Sequence, residues 1–256
     1  MLAELTAGAA HDALARQEAA SLASVEADAL AAPPALDALS ALSRGDRVKV
    51  IAEVKRASPS RGYLAEIADP AALAADYERG GASAISVLTE GRRFKGSLDD
   101  LRSVRDRVSL PVLRKDFVSL PYQVFEARAA GADLVLLIVA ALEQETLAEL
   151  FALSTELGMT TLVETHSADE LARALDVGAR LVGVNARDLK TFELDKDLFA
   201  RLAPSMPDDV VRVAESAVTQ PADVAAYRAA GADVVLIGEA LVTNDPVSTL
   251  DSFLAV

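Results

Sequence analysis

The sequence predicts a single eight-stranded parallel β/α barrel. Three observations carry this: a length of 256 residues, a composition that is 52% apolar, and a helix–glycine–strand unit that occurs four times along the chain. A β/α barrel needs about 250 residues, and a chain this apolar can bury a large core without disulfides or metals.

The repeat justifies the four even-numbered strands. Glu78-Arg79-Gly80-Gly81-Ala82-Ser83 precedes the apolar run Ala84–Leu88, and Arg128-Ala129-Ala130-Gly131-Ala132-Asp133 precedes Leu134–Ile138. Asp176-Val177-Gly178-Ala179-Arg180 precedes Leu181–Val184, and Arg228-Ala229-Ala230-Gly231-Ala232-Asp233 precedes Val234–Ile237. Each reads as the end of an amphipathic helix, a glycine suited to the left-handed position after it, and a short continuous strand. The glycines recur about every fifty residues, roughly twice one βα unit, so another strand belongs midway in each interval. Val48–Val54, Val112–Leu113, Thr160–Val163 and Val210–Ala214 supply those runs, with helices expected at Pro70–Arg79, Pro121–Ala130, Glu143–Leu157 and Pro221–Ala230. Strands without alternation are buried on both faces, as in a parallel sheet. An open doubly wound sheet is the alternative, but no Gly-x-Gly-x-x-Gly follows the first strand.

Residues 1–47 are Ala-rich, and Pro33-Pro34 divides them into two expected helical pieces. They read as an N-terminal helical extension packed on a barrel of residues 48–256, with a disordered arm as the other option. The chain has no cysteine and two histidines far apart, His11 and His166, so thiolate chemistry is excluded and no metal-ligand spacing is present. With 39 acidic and 25 basic residues the net charge is −14, which disfavours nucleic acid and anionic membranes as partners. The longest apolar run, Leu134–Leu142, is too short to span a bilayer, and Glu4 with no basic segment before it does not read as a secretory signal. A cytoplasmic location is the expectation.

Barrel active sites lie at the C-terminal ends of the strands, and those ends are ionic here. The first strand runs out in Glu53-Val54-Lys55-Arg56, the third in Arg114-Lys115-Asp116 and the fifth in Glu164; the sixth ends in Asn185 with Arg187-Asp188 just after, and the seventh in Glu215-Ser216. One such residue could simply mark an exit to solvent. Five at one mouth would perturb one another's protonation. The loops after strands seven and eight, Glu215-Ser216-Ala217 and Gly238-Glu239-Ala240-Leu241, stand where barrels hold phosphate through backbone N–H groups and a short helix start; a tight turn without ligand is the alternative. Ser58-Pro59-Ser60 could add donors, although it is also ordinary turn chemistry. Phe94 and Phe117 follow strand ends and could wall a pocket or pack in the core. His166, just past the fifth strand, has no nearby serine, cysteine or second ligand and reads as a loop residue.

Several runs together resemble indole-3-glycerol-phosphate synthase, the cofactor-free lyase of tryptophan biosynthesis. They are Ile51-Ala52-Glu53-Val54-Lys55-Arg56-Ala57-Ser58-Pro59-Ser60, Ser86-Val87-Leu88-Thr89-Glu90 with Phe94-Lys95-Gly96-Ser97, and Leu113-Arg114-Lys115-Asp116-Phe117. Val163-Glu164-Thr165-His166, Gly183-Val184-Asn185-Ala186-Arg187-Asp188-Leu189, Val213-Ala214-Glu215-Ser216 and Leu236-Ile237-Gly238-Glu239-Ala240-Leu241 follow in the family's order, so that the resemblance runs from about residue 48 to the end. It implies ring closure of 1-(2-carboxyphenylamino)-1-deoxyribulose 5-phosphate with loss of CO2 and water, without cofactor or metal. By resemblance Lys115 is the general acid and Glu164 the general base, and Lys55 binds the substrate carboxylate and assists dehydration. Glu53, Asn185 and Glu215 orient sugar hydroxyls and tune the lysines. Phosphate falls to Lys55, Ser58, Arg187 and the backbone at Ser216, Ala217, Gly238 and Glu239, and Phe94, Phe117, Leu136, Leu189 and Ile237 wall the anthranilate ring. A partly desolvated lysine beside another cation would have a depressed pKa. Ala217 stands where the family has glycine, and a conformation that alanine tolerates is expected there. The partner is a small phosphorylated molecule; a monomer is expected, with contact to other enzymes of the pathway as an alternative. A phosphoribosylanthranilate isomerase would call for a cysteine or aspartate acid–base pair, of which the cysteine is absent, and would leave the lysine pattern unaccounted for; a non-catalytic phosphate-binding barrel would need neither Lys115 nor Glu164.

Overall fold

The computed structural model of the protein describes residues 1–189, 191 and 193–256. Eight parallel strands close into a barrel: β1 Lys49–Val54, β2 Ala84–Leu88, β3 Val112–Lys115, β4 Leu134–Ile138, β5 Thr160–Thr165, β6 Leu181–Asn185, β7 Val211–Glu215 and β8 Val234–Ile237. Each pairs with its sequence neighbours, and β1 closes on β8 in the register Lys49↔Val234 to Ala52↔Ile237. This is the (β/α)8 TIM barrel that the repeat predicts. Glycines Gly81, Gly131, Gly178 and Gly231 all have positive φ, between 83° and 95°, as the end of the preceding helix requires.

The helices of the barrel layer are α4 Pro70–Arg79, α5 Leu98–Arg107, α6 Pro121–Ala129, α7 Gln144–Glu156, α8 Ala168–Asp176, α9 Leu198–Leu202 and α10 Pro221–Ala229, before α11 Glu239–Val242 and α12 Pro246–Leu254. Their starts follow from local chemistry. Proline opens α4, α6, α10 and α12, and the Asp69, Ser97 and Ser167 side chains accept from the third residue on. Alternate strand residues build two shells. Val50, Val87, Leu137, Val163 and Val182 face the helices, whereas Ile51, Leu113, Leu136, Leu162, Val213 and Leu236 fill the barrel interior.

Residues 1–47 form three helices, not two. The chain breaks first at Ala20, which is extended, and Ser21 then caps α2 (Leu22–Ala31) after α1 (Leu2–Ala19); α3 (Ala38–Leu42) follows the prolines. Ala38 and Leu42 of α3 join the apolar cluster of the barrel interior, near the N-terminal ends of the strands, where Arg44 pairs with Asp233 at 2.8 Å. Leu2, Leu5 and Ala9 of α1 join the same cluster beside Phe117 and Ile138, at the opposite end. Charges fasten α1 to the barrel: Arg92 meets Asp12 at 2.6 Å and Arg16 meets Glu126 at 2.5 Å. Glu126 also faces Arg114, whose side chain is wholly buried and reaches Asp116 at 3.0 Å. No helix among the described residues is long and apolar enough to cross a membrane.

Candidate active site

The strands run further than their apolar runs suggest. β3 continues through Arg114 and Lys115, β5 through Glu164 and Thr165, β6 to Asn185 and β7 to Glu215. The charged residues are paired in the sheet instead of leaving it: Leu88 is in register with Lys115, Ile138 with Glu164 and Asn185 with Glu215. Backbone pairing is blind to side-chain polarity, so the inward-pointing end of each strand can carry an ion. Here it does.

One cleft at this end gathers every residue to which the family resemblance gives a role. Glu53, Lys55, Lys115, Glu164, Asn185 and Glu215 form its floor; Ser58, Arg187, Ser216, Ala217, Gly238 and Glu239 lie along one rim; Phe94, Phe117, Leu136, Leu189 and Ile237 supply apolar walls. The rings of Phe94 and Phe117 sit 6.0 Å apart at 43°. Arg61, Leu88, Lys196 and Thr219 also line the cleft, and the sequence reading gave them no part. Arg61 belongs to a small hairpin that pairs Ala57–Ser58 with Gly62–Tyr63, and its guanidinium lies 3.2 Å from Glu239.

Lys55 Nζ is 2.7 Å from Glu53 Oε1, and Ser86 Oγ donates to the other Glu53 oxygen at 3.4 Å. Lys115 Nζ is 3.5 Å from Glu164 Oε2 and 3.7 Å from Glu215 Oε2. Asn185 Oδ1 accepts from Ser216 Oγ at 2.7 Å and from the Arg187 backbone N–H at 3.0 Å, tying the ends of β6 and β7 together. Two glycines make room for these ions. A Cβ on Gly183 would lie 2.1 Å from Glu215 Oε1, and one on Gly238 would lie 2.5 Å from Glu53 Oε1 and 2.8 Å from Lys55 Nζ. Gly183 falls in the middle of an apolar strand, and nothing in a one-dimensional pattern marks it as a cradle.

Burial and charge pull these groups in different directions. Burial works against the ammonium of Lys115, but Glu164, Glu215 and Glu53 together outweigh it and raise its pKa. This corrects the expectation of a depressed lysine: the carboxylates come from three other strands, and Lys55 is engaged by Glu53. Burial favours the neutral form of Glu164, yet Lys115 and His166 hold it well below the usual carboxylate range. For Glu215, burial and the neighbouring Glu164 charge prevail over Lys115 and push it well above that range.

Two local features differ from expectation. Ser216 and Ala217 have φ of 69° and 61°, so the chain turns through two left-handed residues after β7. Ala217 does not escape the strained region; it occupies the pocket of that region open to L residues, at a cost of about 1–2 kcal/mol. His166 does lie in the bend after β5, but its side chain is 8% exposed and stands between Glu164 and Glu170. It is no ordinary loop residue.

Comparisons with known proteins agree with this geometry. The family model of indole-3-glycerol phosphate synthase matches residues 2–251, so the likeness extends into the N-terminal helices, well before residue 48. The indole-3-glycerol phosphate synthase of Leifsonia xyli subsp. xyli is 72% identical over 256 residues, covering 100% of this chain and 98% of that one. That of Mycobacteroides abscessus is 62% identical over 240 residues, 93% of this chain and 88% of that one. Among solved structures, a thiamine phosphate pyrophosphorylase from Pyrococcus furiosus has a TM-score of 0.61 at 13% identity, over 80% of this chain and 93% of that one. An N-acetylmannosamine-6-phosphate 2-epimerase from Clostridium perfringens also gives 0.61, at 14% identity, over 79% and 89%. At such identities these two speak for the fold alone. A family match along nearly the whole chain, joined to this ionic cleft, places the protein in the indole-3-glycerol phosphate synthase family.

Proposed function

We propose that the chain is a carboxy-lyase that converts 1-(2-carboxyphenylamino)-1-deoxyribulose 5-phosphate to indole-3-glycerol phosphate, CO2 and water. One observation carries the reading: a mostly buried ammonium, Lys115, and a fully buried carboxylate, Glu164, meet at 3.5 Å in a cleft with aromatic walls. The ring carbon bearing the carboxylate attacks the sugar ketone, and Lys115 donates its proton to the ketone oxygen as negative charge develops there. Glu164 first and Glu53 beside it keep Lys115 in its ammonium form until an alkoxide, a stronger base than the amine, arrives. Loss of CO2 restores the aromatic ring. Glu164 then removes a proton from the ring intermediate while the hydroxyl leaves as water, protonated by Lys55. Lys55 also faces the substrate carboxylate, and Glu53, Asn185 and Glu215 hold the sugar hydroxyls.

Phosphate is assigned to the rim of Ser58, Arg187, Ser216, Ala217, Gly238 and Glu239, with Lys55 at its inner edge. The anthranilate ring packs between Phe94, Phe117, Leu136, Leu189 and Ile237. With a net charge of −14 the anion depends on this local grip and not on the protein's overall field. The same reading makes the protein a cytoplasmic enzyme acting as a monomer, which sedimentation of the active species tests. Purified protein given the carboxyphenylamino sugar phosphate generates indole fluorescence and CO2 without added metal or nucleotide; absence of product at high enzyme concentration refutes the activity. Lys115→Ala retains substrate binding but loses about 10²–10⁴-fold in kcat, and near-parental turnover would remove Lys115 from the acid role.

A further inference from the structure

We propose that His166 is a positioning residue for Glu164, clamping one carboxylate oxygen so that the other is presented to Lys115 and the cleft. The inference rests on the reading of Glu164 as the general base. His166 Nε2 lies 3.3 Å from Glu164 Oε1, and Nδ1 lies 3.2 Å from Glu170 Oε2. Glu170 is itself fixed: its Oε2 accepts the His166 backbone N–H at 2.7 Å, and its own N–H donates to Ser167 Oγ at 3.2 Å. The first turn of α8 therefore anchors Glu170, Glu170 anchors the imidazole, and the imidazole meets the oxygen of Glu164 that Lys115 does not approach.

Both ring nitrogens face carboxylate oxygens, which only accept: Nδ1 is hydrogen-bonded to Glu170, and Nε2 meets Glu164 Oε1 as an ion-pair contact without hydrogen-bond alignment, an arrangement that suits an imidazolium. The charged groups around it are Glu164 on β5 and Glu170 on α8, with Lys115 of β3 and Glu215 of β7 on the far side of Glu164. Neither Glu164 oxygen has a well-formed hydrogen bond; each instead meets one cation, Oε2 facing Lys115 and Oε1 facing His166. When Lys115 hands its proton to the ketone, His166 is the cation still facing Glu164. It keeps the carboxylate ionised for the later proton removal. His166 is not among the residues lining the cleft, so it acts through Glu164 and not on the substrate.

The test is steady-state kinetics with the carboxyphenylamino sugar phosphate across pH for His166→Ala, His166→Gln and Glu170→Gln, with thermal melts alongside. His166→Ala should lose about 10- to 100-fold in kcat with KM changed by less than about threefold. Its acid limb should move to higher pH, because a base deprived of its cation stays protonated longer. Glu170→Gln, which leaves the imidazole in place, should move the acid limb the same way by a smaller amount. His166→Gln restores an N–H donor without charge, so it should recover part of kcat and leave the limb displaced. An acid limb unmoved in both His166→Gln and Glu170→Gln overturns the proposal, even if His166→Ala fails to fold. So does a loss confined to melting temperature or to KM. Glu164→Gln run in parallel separates the two readings: if it keeps near-parental turnover, the base assignment itself is lost.

Discussion

Replacing Gly183 by alanine places a methyl carbon 2.1 Å from Glu215 Oε1, 3.2 Å from Glu215 Cδ and 3.4 Å from Leu162 Cδ1. Ordinary contact begins near 3.4 Å, so the Glu215 carboxylate has to retreat by more than about 1 Å. It cannot retreat outward, because the side chain is 2% exposed and is enclosed by the barrel. It swings toward Lys115, now 3.7 Å away, or rotates off the β6 side of the floor. Overpacking of this kind costs about 1–3 kcal/mol, which for a domain of this size lowers Tm by roughly 2–10 °C. The effect on turnover is larger in proportion, since a 1 Å misplacement of a reacting or orienting group costs about a hundredfold. The assay is indole fluorescence at saturating substrate, with a melt to confirm that the barrel is intact. Adding Glu215→Asp, which shortens the carboxylate arm, should recover part of what Gly183→Ala loses, a non-additivity expected of groups in contact. Full turnover by folded Gly183→Ala would show that Glu215 does not need its observed position, and the reasoning would fail.

Other perturbations have different readouts. Glu126→Ala removes one carboxylate from fully buried Arg114 but leaves Asp116 in place, so a loss of about 3 kcal/mol, the low end for breaking a buried pair, is expected by denaturant titration. Arg16→Ala, at the half-exposed end of the same chain of charges, should cost under about 1 kcal/mol. Ala217→Gly relieves a left-handed alanine worth about 1–2 kcal/mol and gives back about 0.4–1 kcal/mol in unfolded-state entropy, so Tm should rise by a few degrees and not fall. For pH, the Glu164 and Glu170 contacts of His166 outweigh its burial and raise it from the ordinary 6.5 to about 10. A raised pKa stabilises the fold fully below 6.5 and ceases to do so as pH climbs through 10. The parental protein should therefore lose stability relative to His166→Gln across that window, as followed by melts in matched buffers.

The barrel was legible because glycine after a helix and an unbroken apolar run are local signals, and Gly81, Gly131, Gly178 and Gly231 state them four times. The cleft's ionic residues were legible for a related reason: a charge at the end of a buried strand has few other uses. What stayed hidden depends on contacts between distant segments. The pKa direction of Lys115 is set by carboxylates on β1, β5 and β7, and Gly183 matters because of a side chain on β7. His166 is buried between Glu164 and Glu170, and Glu170 looks like an ordinary surface acid in sequence. The break between α1 and α2 was missed because an Ala-rich stretch continues to favour helix through Ala20, and only the packing of α2 on α6 requires the turn there.

Sheet register also decides where this chain can accept change. Lys115 stands opposite Leu88 and Glu164 opposite Ile138, and side chains alternate faces along a strand. A single inserted residue within β3 or β5 would turn its ion from the cleft to the helix layer, abolishing chemistry while also burying a charge among apolar neighbours. Insertions in the connections that cross the opposite end of the barrel shift no reacting atom. Descendants of this chain can thus lengthen or rebuild those connections and acquire new surface properties, while the eight strands keep their lengths to the residue.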